Sequence, residues 1–222
     1  MNRKLIYAPL LLLGLVAAGA IAFAVFRPIQ VLPRMSLAPG FALVDQDGHR
    51  LTSEDLRGNI VFYSFGYPGC GEPCGAIAEV MREVREGLAG IAELEGLPVR
   101  LVTIAFDGGP DGSDALRIAA AEAGADGSVW SFATAEPEAL KTLIGGGFEV
   151  YYSPRPDGGY DFDPAFFLVD GWGILRAEYR YGVPKATLLL EDLRLLAREA
   201  RAAEGAARLA YEAAHLFACY PR

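Results

Sequence analysis

The run NIVFYSFG, Asn59 to Gly66, is apolar almost throughout and shows no alternation of apolar and polar positions. A strand with one wet face alternates, so an unbroken run of β-formers ending at a glycine predicts a strand covered on both sides. That requirement narrows the chain to a central sheet with helices packed on both faces. The flanking pattern agrees. Ile77, Val80, Met81, Val84, Leu88 and Ile91 recur at three- and four-residue steps, which predicts an amphipathic helix. VRLVTIAF (99–106) reads as a strand, Ser113 to Ala123 as a helix, SVWSF as a strand and Glu136 to Ile144 as a helix stopped by GGG. FEVYY, a turn at SPRPDGG, and the paired strands AFFLVD and ILRAEYRY around GWG follow. The expected fold is α/β, a mixed sheet with helices on both faces.

The ends of the chain differ from this middle. Leu5 to Phe26 contains no charge and is long enough as a helix to cross a bilayer. Arg3 and Lys4 precede it, which places the N-terminus in the cytoplasm and the rest on the extracytoplasmic side. A cleaved signal peptide is the alternative, with small residues at Ala18 to Ala20, although the apolar run continues past them. Residues 1–26 are thus expected to be an anchor, and the proline-containing 27–40 an extended tether. Residues 41–183 are expected to form the domain, and 184–222 a helical extension broken near Gly205. The first 34 residues carry four basic groups and no acidic one, so the remainder holds −12, the chain's −8 less that +4. Such an acidic body excludes nucleic acid as a natural partner.

Directly behind the central strand, GYPGCGEPC places Cys70 and Cys74 four residues apart among glycines and prolines. Cys74 falls on the first turn of the next helix, where Pro73 is tolerated. Residues i and i+4 there stand about 6 Å apart, inside the Cα range of a disulfide, so the pair can close or open with little backbone movement. A helix N-terminus favours the thiolate, which attacks disulfides and binds soft metals; Glu72 opposes it. Two thiolates suit Cu(I), whereas Cu(II) wants nitrogen or oxygen donors as well. A static structural disulfide is the third possibility. With three cysteines in an exported chain, a pure disulfide scaffold leaves one unmatched.

GYPGCGEPC resembles the F-G-Y-T-x-C-P-x-x-C-P motif of the Sco/SenC family, proteins of thioredoxin fold. FALVDQDGHRLTSEDLRGNIVFYSFGY is similar to that family's opening, VTIAFDGGPD to its V-x-x-D-P-x-x-D segment, and WSFATAEPEALKTL to its F-x-x-L-T-G-x-x-E helix. The resemblance spans roughly Phe41 to Tyr181. It implies a thioredoxin-like fold at the outer face of a membrane and a role in assembling the dinuclear copper centre of cytochrome c oxidase. Cys70 and Cys74 would then bind and deliver copper, reduce the cysteines of that centre, or do both. The implied partner is the copper-receiving oxidase subunit or another exported thiol protein.

The chain departs from the family where a histidine ligand belongs. The family has D-H-T-x-x-x-Y-L-x-D, and this chain has DFDPAFFLVD, with Phe162 in the histidine's place. Of two histidines, His49 reads as a solvated turn residue. His215 stands four residues before Cys219, and a C-terminal helix folded over the cysteines would bring it in as a replacement metal ligand. The alternative is a helix packed on the domain through Leu209, Leu216 and Phe217. DPAFFLVD also resembles the loop of thioredoxin-superfamily thiol-disulfide oxidoreductases in which a cis-proline faces the active cysteines. Pro164 takes that place, and Asp163 would offer free backbone to a substrate polypeptide. Copper-independent thiol-disulfide exchange is therefore the competing expectation. The acidic loop with Asp107, Asp111 and Asp114 lacks calcium-loop spacing and reads as a solvated turn.

Overall fold

The computed structural model describes residues 29–106, 112–156, 158–180, 182–202 and 207–217, with residues 7, 9, 11–15, 17–19 and 21. Its centre is a strand, β4 (Ile60–Gly66), in which every residue is buried. The alternate residues Ile60 and Phe62 enter one apolar cluster and Val61, Tyr63 and Phe65 another. Both faces of this strand are covered, as its unbroken apolar run requires. Parallel to it lies β5 (Val99–Ala105), and β6 (Trp130–Thr134) lies parallel to β5. On its other side β9 (Phe166–Val169) runs antiparallel to β4, and β10 (Ile174–Tyr179) antiparallel to β9.

The edges are short strands. β1 (Ser36–Leu37) pairs with β10, while β2 (Ala42–Asp45) pairs with β6 and with β3 (Arg50–Thr52). The eight-stranded order is β1-β10-β9-β4-β5-β6-β2-β3; β7 (Tyr152–Pro154) and β8 (Tyr160–Phe162) form a separate hairpin.

One face of the sheet is covered by α1 (Cys74–Gly87), through Ile77, Val80, Met81 and Val84. Each of these, taken fully out of water, contributes about 1.5–3 kcal/mol. The second helix, α2 (Gly112–Ala123), buries Leu116 and Ala120. The other face is covered by α3 (Pro137–Leu140), which widens into a π-helical turn over Lys141–Gly147 and buries Leu140, Leu143 and Ile144. Beyond it, the expected strand over FEVYY forms only from Tyr152 onward. Phe148 and Val150 instead plug the core, and Glu149 between them takes a positive φ of 55°.

Two of the expected segments pack onto the domain. The tether is not free over its length, because Val31 and Leu32 are wholly buried and Ser36–Leu37 adds an edge strand. The extension is not an appendage either. Its first helix, α4 (Ala186–Ala202), buries Leu189, Leu193 and Leu196 against α1 and β10, and α5 (Ala207–Phe217) follows it. More than half of the expected anchor over 1–26 falls on residues outside the described set. Described positions there are helical and exposed, and among the described residues no helix is long and apolar enough to cross a membrane.

A candidate thiol site at the end of the central strand

β4 delivers the chain at Gly66 into a loop that turns at Tyr67, where the Cys70 N–H donates to the Tyr67 carbonyl at 3.3 Å. Gly69 and Gly71, on either side of Cys70, hold φ of 76° and 61°, conformations that admit glycine without strain. α1 then begins at Cys74, with the Gly75 N–H on the Gly71 carbonyl at 2.9 Å and no side chain capping its first turn. Cys74 thus sits on the first turn of a helix, whose N-terminal end favours negative charge.

Cys70 and Cys74 are joined as a disulfide with their Cα atoms 5.8 Å apart, matching the i, i+4 spacing. Cys74 is the inner sulfur. A Cβ built on Gly66 would stand 3.0 Å from its Sγ, so a side chain there would crowd the sulfur where it lies against the strand end. Gly66→Ala is expected to push Cys74 Sγ away and favour the open dithiol by about 1 kcal/mol, or ~20 mV in a two-electron couple. A redox titration of variant against parent reads this shift.

Behind Cys74 lies a cleft of about 310 Å³ bordered by Gly66, Ile77, Thr103, Trp130 and Phe132. Its floor is fixed by the Trp130 Nε1–H donating to Thr103 Oγ1 at 3.0 Å. The broader concavity of about 590 Å³ at Lys141, Tyr151 and Pro154 carries no sulfur and stays outside the site.

On the opposite side of the loop stand aromatic rings. Phe162, at the end of β8, packs edge-on to Phe106 at 4.8 Å and near Tyr67 at 6.2 Å, with Tyr152 stacked on Phe106 at 4.8 Å and Tyr160 beside Tyr67 at 5.3 Å. Phe162, expected from the motif to stand at a histidine's place, thus lies in a hydrophobic box. Burial first, then Tyr160 and Glu138, push the Tyr152 phenol above its ordinary value, so it stays neutral and is a poor oxygen donor. The box was missed in the sequence because its rings come from four separated segments; only the tyrosines and phenylalanines flanking SPRPDGG hinted at it.

The other expected site residues lie elsewhere. His215 Nε2 is bonded to Glu199 Oε1 at 2.8 Å, and Glu199 Oε2 takes a 2.6 Å bond from Arg176. Arg176 sits beside Leu175, which pairs with Val169, itself opposite Val61 near the start of β4. Val61 is five residues from Gly66, or about 17 Å along the strand, so His215 serves the far end of the sheet and does not replace the missing ligand. Cys219 lies outside the described residues, as do Asp107 and Asp111. Asp114 is an exposed partner of Arg117.

His49 is exposed, with Asp45 and Asp47 around it in the β2–β3 turn. Among the described residues those three are the only His, Cys, Asp or Glu side chains grouped closely enough to hold a metal between them. Among the described residues no such group includes the two sulfurs. The oxidoreductase groove is altered too. The Asp163–Pro164 bond is trans, the cis bond among the described residues being Glu72–Pro73, and the Asp163 N–H is taken by the Tyr151 carbonyl at 3.4 Å. That backbone is committed to the hairpin and not open to a substrate strand.

Residues 31–197, well over half of the chain, match the sequence profile of the family described as SCO1/SenC. The chain belongs to the SCO1/SenC family. No curated protein matches it in sequence. Among solved structures it is similar to a SCO1/SenC family lipoprotein from Bacillus anthracis, at 21% identity and a TM-score of 0.64, covering 73% of this chain and 95% of that one. Arabidopsis thaliana ScoI, solved with copper bound, is 21% identical with a TM-score of 0.61 over 73% of this chain and 99% of that one. BsSco, described as a Sco-family cytochrome c oxidase assembly protein with a disulfide switch, is 20% identical, with a TM-score of 0.62 over 75% and 96%. These likenesses establish the thioredoxin-like fold. Within it, this Sco-family chain carries the Cys70–Cys74 pair at the end of its central strand.

Proposed function

We propose that this chain is an exported, membrane-anchored Sco-family protein of cytochrome c oxidase assembly, whose working chemistry is two-electron thiol-disulfide exchange at Cys70 and Cys74. One observation carries the reading. The two sulfurs meet as a disulfide at a helix start without a side-chain cap, while Phe162, which the motif resemblance sets at a histidine's place, lies in an aromatic box. Cys70, in the glycine-flanked loop, is the attacking sulfur. Its thiolate bonds to one sulfur of a partner disulfide and expels the other as a thiolate. Cys74 then attacks Cys70, forming the intramolecular disulfide and releasing the partner's second sulfur. Two electrons pass to the partner, which leaves as a dithiol, and a dithiol protein of the same compartment restores Cys70 and Cys74.

The partner of this reading is the copper-receiving oxidase subunit or another exported thiol protein. Copper enters as cargo. Two thiolates fit Cu(I), which accepts low coordination, and do not suit Cu(II), which wants nitrogen or oxygen donors as well. The anchor of the reading is the apolar run Leu5 to Phe26, with the domain on the extracytoplasmic side. Should the reduced protein take neither oxidation state, the copper-independent oxidoreductase reading stands in its place.

Titration decides this. The reduced protein is expected to retain about one Cu(I) and to refuse Cu(II), and its disulfide to reduce above about −300 mV, as exchanging pairs do. A lower potential overturns the exchange role in favour of a static staple. Phe162→His restores an imidazole beside the loop and is expected to raise Cu(II) affinity at least about tenfold, the scale of one recovered donor. Thiolate-to-Cu(II) absorption measures it.

A further inference from the structure

Trp172 is the most exposed large apolar side chain of the described residues, at 82%, and it crowns the turn between β9 and β10. Leu37, at 69%, lies across the sheet edge from Ile174, and Met35, at 48%, donates its N–H to the Leu175 carbonyl. Three large apolar side chains thus gather at one corner of the molecule, the end of the sheet opposite the cysteines.

The turn is held stiffly. Asp170 Oδ1 accepts from the Trp172 and Ile174 N–H groups at 3.0 Å each, and Asp170 Oδ2 accepts from Arg176 at 3.0 Å. The same guanidinium donates to the carbonyls of Leu32 at 2.8 Å and Pro33 at 3.0 Å. One buried cation therefore joins the turn that presents Trp172 to the segment by which the chain enters the domain. That segment follows an uncharged apolar run ending at Phe26, five residues before the buried Val31. Five residues reach at most about 18 Å, so the corner bearing Trp172 cannot stand far from whatever holds the run. The exposed Arg57, which donates to the Trp172 carbonyl and is paired with Glu54, adds a cation at the same corner.

We propose that Trp172, with Leu37 and Met35, is a membrane contact that seats this end of the domain in the headgroup layer. An amphipathic indole prefers that layer, where its ring is apolar and its N–H wet. The inference rests on the anchored reading above and adds an orientation to it. With Trp172 in the lipid surface, β4 points away from the membrane and holds the Cys70–Cys74 loop about 20 Å or more above it, facing a partner that stands off the bilayer.

Two tryptophans in the whole chain make the test direct, because Trp130 is fully buried and reports no lipid. The full chain is reconstituted in phosphatidylcholine vesicles with and without brominated acyl chains, beside Trp172→Phe. The expected result is flotation of both proteins, blue-shifted Trp172 emission, and at least a twofold quenching of that emission by bromine which the variant lacks. Flotation of both without bromine quenching of Trp172 overturns the docking and leaves the anchor standing. Failure to float overturns the anchor, and the docking with it. A blue shift that grows with protein density but ignores bromine also overturns the proposal, assigning the corner and its open β1 edge to a second copy of the chain.

Discussion

Cys74→Ser is expected to trap a covalent adduct with the disulfide partner, and Cys70→Ser to form none. Cys74 is the inner sulfur, pressed against Gly66 and the head of α1, whereas Cys70 sits between two glycines in the loop. If Cys70 attacks and Cys74 resolves, removing the resolving thiol leaves the mixed disulfide with nothing to break it. Removing the attacking thiol prevents its formation. Either serine is expected to lower exchange and Cu(I) retention by at least about a hundredfold, since a hydroxyl neither forms a disulfide nor binds a soft cation. The adduct is read by mass spectrometry under non-reducing conditions. Adduct from Cys70→Ser alone would reverse the two roles.

The fold should survive both changes. The lost cross-link closes only a four-residue separation, and chain entropy values such a short loop at about 2 kcal/mol. The two apolar clusters that hold the sheet do not depend on it. Loss of function with retained folding is thus expected, and a urea titration beside the exchange assay separates the two.

The central strand, the helix behind the cysteines and the closing hairpin were legible because each is announced by short-range pattern. Nothing local competes with an unbroken run such as Asn59 to Gly66, or with the spacing of Ile77, Val80, Met81 and Val84. The reach of the domain was not legible in the same way. Val31 and Leu32 sit in a proline-rich stretch without periodicity, and they are buried because Arg176, more than 140 residues later, takes their neighbourhood's carbonyls. The site divides along the same line. Cys70, Cys74 and the substitution at Phe162 can be read along the chain. That Phe162 belongs to a box of rings, and that His215 faces Glu199 instead of sulfur, are facts of tertiary pairing.

Arg176→Met is expected to cost about 3–5 kcal/mol, the scale for stripping a partner from a buried ion network. Its guanidinium, 2% exposed, is bonded to Asp170, Glu199 and two backbone carbonyls. Methionine fills the volume and leaves two largely buried carboxylates without that cation. Against a total of about 5–15 kcal/mol for a native domain this is a large fraction. Arg34→Met touches the same Glu199 from a half-exposed position and should cost under about 1 kcal/mol.

The pH dependence identifies the mechanism. Burial alone would raise the Glu199 carboxyl, but the Arg176 guanidinium and His215 outweigh it and hold the group below its ordinary range. A depressed carboxyl stabilises the fold above its unfolded value, near pH 4.3, and that contribution is lost as pH falls through the folded value. Stability of the parent should therefore decline with acidification below about pH 4.5, with a slope that Glu199→Gln reduces. In Arg176→Met the burial is opposed by His215 and the half-exposed Arg34 alone, so the carboxyl titrates higher and protonates sooner as pH falls. The gap between parent and variant should consequently narrow from pH 7 to pH 4 in urea titrations, and a gap constant across that range would mean that Arg176 acts by packing alone.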